Sequence, residues 1–93
     1  MIIGVCTLDF FLPGCSSLKQ KRMFLRSIKE KLRNKHNVAV AEVDYQDIWQ
    51  RAQLGLTSVS SDQKVLDSTF QAVLRMAERS ADAQLTNFEV EYL

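Results

Sequence analysis

Lys19, Arg22, Arg26, Lys29 and Arg33 recur at intervals of three, four, three and four residues, the spacing that gathers side chains on one flank of an α-helix. A row of cations at that pitch suits a polyanion, either the phosphates of RNA or a carboxylate cluster on a protein. The stretch S-L-K-Q-K-R at 17–22 concentrates the same chemistry at the start of the helix. Ser17 is a good N-cap, and Gln20 three residues later completes a capping-box pattern. A capped helix start offers free N–H groups to an anion, and Lys19, Lys21 and Arg22 add charge to it. Those cations oppose the helix dipole at a cost of up to about 1 kcal/mol each. A helix that merely faced water would interleave Glu for i,i+4 pairing, yet Glu30 is the only acid among eight cations. A local conflict of this kind marks a candidate site. The competing reading is a solvated face, or a row neutralised by the chain's own Asp9, Glu42 or Asp44.

The rest of the chain offers less chemistry. Glu42 and Asp44, two apart on a strand, would share a face about 7 Å apart. With Asp47 they read as the rim of a hairpin, or as partners for Arg51 or another protein, before they read as a metal site. His36 lies at a helix end and has no companion for a catalytic triad. Ser58, Ser60 and Ser61 fit a strand end and a helix cap. No Gly-rich phosphate loop is present. No catalytic residue, metal ligand or cofactor site is assigned, and an enzyme is the least favoured class. Trp49, the one tryptophan, reads as a core-edge residue or a contact for a partner.

These residues need elements to position them. Ile2 to Phe10 is apolar and β-branched, which predicts a strand, with a loop at Pro13-Gly14. Ser17 opens a helix with Leu18, Leu25, Ile28 and Leu32 as its apolar set. Val38–Tyr45 and Ala52–Ser60 are the second and third strands, joined through an irregular bend near Trp49. Ser61 or Asp62 caps a second helix with Leu66, Phe70, Val73 and Ala77 inward. Phe88, Val90 and Tyr92 alternate with Glu89 and Glu91 in a last strand with one wet face. The order β-α-β-β-α-β predicts an α+β, ferredoxin-like domain over 1–93, a four-stranded antiparallel sheet with both helices on one face.

Composition sets the remaining bounds. The segment from Lys19 to Lys35 carries a net +7, whereas the remainder, with four basic and ten acidic residues, carries −6. The total of +1 hides this polarity. Cys6 and Cys15 lack C-x-x-C spacing and read as thiols in a reducing cytoplasm. No stretch approaches the roughly 20 apolar residues of a membrane span, and the N-terminus lacks the charged start of a signal peptide. An intracellular protein with no membrane partner is expected.

S-L-K-Q-K-R at 17–22, V-A-V-A-E-V-D at 38–44, Q-D-I-W-Q-R-A-Q-L-G-L at 46–56 and V-S-S-D at 59–62 together resemble the domain of unknown function 503 family, the YlxP-like bacterial proteins. The similarity spans nearly the whole chain. It implies a small ferredoxin-like cytoplasmic protein whose gene often lies among those for translation initiation and ribosome maturation. It implies no activity and so no catalytic residue. Ser17, Leu18, Lys19, Lys21 and Arg22 match the family's Ser-Leu-Lys-x-Lys-Arg element. Two roles follow as expectations: binding of RNA or a ribosomal particle through the first helix, or a protein-interaction or homodimerising module using Glu42, Asp44 and Trp49. RNA-recognition modules on this fold stack bases on aromatics of the central strands. The third strand has none, so any RNA contact is expected to be helical and made to phosphates.

Overall fold

Alternate burial along the two longest strands sets the architecture. In β1 (Ile2–Phe11) Gly4, Cys6, Leu8 and Phe10 are buried, and in β3 (Arg51–Ser60) Ala52, Leu54, Leu56 and Ser58. The antiparallel register sets Cys6 opposite Leu56, Leu8 opposite Leu54 and Phe10 opposite Ala52, so both strands turn the same apolar face inward. The computed structural model describes residues 1–93. β2 (Ala39–Asp44) pairs with the outer side of β3, and β4 (Gln84–Tyr92) with the outer side of β1, giving the order β2-β3-β1-β4. With α1 (Leu18–Lys35) and α2 (Gln63–Glu78), this is the ferredoxin-like α+β fold.

The helices begin where their capping residues stand. Ser17 Oγ accepts the Gln20 N–H at 3.1 Å, and Asp62 Oδ1 accepts the Lys64 N–H at 2.9 Å. The reciprocal half of the first box is displaced by one residue, because Gln20 Oε1 accepts the N–H of Ser16 at 2.8 Å. α1 ends at His36, whose N–H still donates to the Leu32 carbonyl. α2 buries Leu66, Phe70, Val73 and Ala77, as their spacing predicts. Phe70 lies so close over Gly4 that a Cβ there would stand 2.5 Å from its ring. Phe10 and Phe24 tie α1 to the sheet edge-to-face, with centroids 5.6 Å apart. Ser58, buried among apolar neighbours, donates to the Asn37 carbonyl at 2.6 Å.

One expectation about the sheet is corrected. Glu42 lies opposite Leu54 but Asp44 lies opposite Gln53, with a register shift between them. The bulge absorbs Val43, so the two carboxylates do not share a face. The chain then turns through Tyr45, the one non-glycine residue at positive φ (63°), and the Ile48 N–H closes the bend on the Tyr45 carbonyl.

Cys6 and Cys15 are free, buried thiols. Burial pushes the Cys6 thiol up to about 12, and donation of its hydroxyl proton to Asp67 pushes Tyr92 to about 12 as well. The folded state therefore holds both protons more tightly than the unfolded chain. Their contribution to stability is complete below pH 9.0, the ordinary value for the thiol, and is lost as pH rises through about 12. The urea midpoint should stay level from neutral pH to about 9 and fall above it, less steeply in Cys6→Ala. A midpoint level to pH 11 would show that neither proton is held.

Candidate functional site

The 100° step of an α-helix divides α1 into three faces. Leu25, Ile28 and Leu32 point into the core. Lys19, Arg22, Arg26, Lys29 and Arg33 occupy the flank beside edge strand β2, where Arg33 Nη2 donates to the Val40 carbonyl at 2.9 Å. Four of the five are exposed and Lys29 is half-buried. Fourteen residues separate the ends of the row, a length of about 21 Å. The protein contains one ion pair within 4.0 Å, between Lys21 and Glu42. No carboxylate neutralises the row itself.

Lys21 stands apart from it. Its side chain is 1% exposed, with Nζ 3.0 Å from Glu42 Oε2. It donates to the carbonyl of Tyr45 and, at 3.4 Å, to that of Gln46. Glu42 Oε2 has no partner besides this ammonium. The lysine expected to meet an outside anion is thus an internal clamp between the first turn of α1 and the bend after β2. Ser17 is likewise engaged, its hydroxyl holding the Gln20 N–H.

The acidic and aromatic candidates separate in the same way. Glu42 turns inward to Lys21, while the exposed Asp44 accepts the N–H of its neighbour Tyr45 at 2.7 Å. Arg51 pairs with neither; it lies 4.0 Å over the Tyr45 ring and donates to its hydroxyl at 3.0 Å. Trp49 is 49% exposed on the bend beside an exposed Ile48, so it closes no part of the core. The Leu12 N–H donates to the Gln50 carbonyl at 2.9 Å, which ties the bend to the loop before α1. The segments around 17–22 and 42–51 therefore meet at one end of the molecule. No three His, Cys, Asp or Glu side chains gather there or elsewhere as a metal-holding group, and no helix is long and apolar enough to cross a membrane.

Residues 3–90 match the family described as Protein of unknown function (DUF503). The chain belongs to that family. It is 32% identical over 91 residues to "Uncharacterized protein YlxP" of Bacillus subtilis (strain 168), covering 98% of this chain and 99% of YlxP. Among solved structures it is similar to a C-terminal segment of the alpha subunit of aIF2 from Pyrococcus abyssi (TM-score 0.48, 15% identity) and to the putative chlorite dismutase TA0507 (TM-score 0.48, 16% identity). The alignments cover 98% and 99% of this chain but 49% and 44% of those chains, so it spans about half their length.

Within this DUF503 chain, the Lys21–Glu42 clamp is what residue-type reasoning missed. The signal was present: 21, 25, 28 and 32 form an i, i+4, i+7, i+11 series, which places Lys21 on the buried face. Its lysine chemistry drew it instead into the basic motif.

Proposed function

We propose that this DUF503 chain is a cytoplasmic protein that binds RNA, alone or within a ribosomal particle, through the outer flank of α1. One observation carries the reading: five cations in a row about 21 Å long, on a single rigid helix, with no carboxylate partner within 4.0 Å. Phosphates supply the missing counter-charge at no cost in conformational order of the helix. The contact is to the nucleic-acid backbone, because the uncovered sheet face presents only Phe11 among aromatics on the central strands β1 and β3. Cys6 and Cys15 as free thiols agree with a reducing compartment. Anisotropy of a labelled 20-nucleotide RNA across a salt series tests the proposal. Four to five phosphate contacts give a log–log slope of about −3 for a single strand, and a flat response overturns it.

A second reading, contact with a protein or a second copy, has the exposed Ile48–Trp49 pair in its favour. Sedimentation equilibrium at low and high salt tests the second copy: a monomer throughout removes self-association.

A further inference from the structure

α1 has a second basic edge, and it borders a different kind of surface. The backbones of α1 and α2 do not pack closely along their lengths, and between them runs an open groove of about 1140 Å³. The floor is apolar, formed by Met23, Phe24 and Ile28 of α1 and by Ala72 and Met76 of α2. The rims are cationic: Lys31 and Lys35 on one side, Arg75 and Arg79 on the other, with Asp82 the single acid. None of these cations has a carboxylate within 4.0 Å. Met23 is 62% exposed, although its flexible thioether is suited to packing against varied apolar surfaces.

We propose that this groove docks an acidic amphipathic helix of a partner protein. Its apolar stripe would lie on Met23, Phe24 and Met76, and its carboxylates would meet the two basic rims. Shape selects a helix over a small molecule. Sites for small ligands enclose most of the ligand, whereas this trough is half-open to solvent. Its α1 wall runs from Gln20 to Lys35, about 22 Å, and its α2 wall from Ala72 to Arg79, about 10 Å, enough for two turns of a third helix with apolar anchors at i, i+3, i+4 and i+7. Charge selects an acidic partner, because both rims carry the same sign and lack internal counter-charges. Chemistry disfavours RNA here: the one aromatic in the floor, Phe24, is half-buried and already packed edge-to-face on Phe10. The rim cations could hold phosphates, but a polyanion would leave the apolar floor of Met23, Ile28 and Met76 uncovered. The proposal is independent of RNA binding, which uses the opposite flank of α1.

A fluorescein-labelled synthetic peptide with Leu at i, i+3, i+4 and i+7 and Glu at the outward positions tests it, titrated with the full chain by anisotropy. Saturable binding is expected, weakened about tenfold or more in Met23→Asp and in Arg75→Glu/Arg79→Glu, and unchanged in Arg22→Glu. All four positions are exposed, and circular dichroism checks that each variant keeps its fold. A peptide of identical composition in scrambled order should bind about tenfold more weakly or worse. Equal affinity for the scrambled peptide would leave only charge attraction and overturn the proposal. So would groove variants that bind normally, or laurate or RNA binding in the groove where the peptide does not bind.

Discussion

Lys21→Ala is expected to destabilise the protein by about 3 kcal/mol, the low end of the cost of breaking a buried ion pair. The loss has two parts. Glu42 keeps its charge on the inner face of β2 with no cation beside it; its side chain is 19% exposed, so water relieves some of the penalty. The carbonyls of Tyr45 and Gln46 lose the ammonium that donates to them, and the bend at positive φ loses its anchor. The double variant Lys21→Met/Glu42→Leu should recover part of the stability, since an apolar pair of similar volume removes both desolvated charges together, while the Tyr45 and Gln46 carbonyls still lack the lysine donor. Urea unfolding of the wild type, Lys21→Met, Glu42→Leu and the double variant measures the coupling. A Lys21→Ala change within about 0.5 kcal/mol of wild type, the scatter of ordinary surface substitutions, would mean that the clamp contributes nothing.

The largest effect on binding is expected from Arg22→Glu/Arg26→Glu. The substitution takes the row from five positive charges to a net of one and plants two acids at its centre. RNA affinity should fall by about two orders of magnitude at moderate salt, and the log–log salt slope should become shallower by about 1.4 for a single strand as two phosphate contacts disappear. Both arginines are exposed and unpaired, so stability should change little. Lys31→Glu/Lys35→Glu is the decisive control, because it makes the same charge change on the opposite flank of the same helix. Comparable losses from both pairs would show that total charge matters and location does not.

Much of this molecule can be read from residue order. Leu25, Ile28 and Leu32 of α1, the inward set of α2, the Ser17 and Asp62 caps and the two central strands follow from periodicity and capping chemistry, which act within a few residues; Leu18, expected in the first set, is only half-buried, and Lys21 takes an inward place. The β-bulge at Val43 was not legible. Nothing in V-A-V-A-E-V-D distinguishes a regular ladder from one that absorbs an extra residue, and the choice depends on what β3 and α1 present to it. Lys21 lay between these cases: its position was periodic with the core, but a lysine enters a core only when a partner waits there, and Glu42 is 21 residues away. The groove between α1 and α2 was least accessible, since Lys35 on one wall and Ala72 on the other are 37 positions apart and their spacing is set by the sheet beneath.

Because the Lys21 ammonium grips two successive main-chain oxygens of the bend, the indole of Trp49 is borne on a short arm braced from the first turn of α1. Loosening the brace would let that arm drift, and the indole with it, while the outer row of cations on α1 stays where it is.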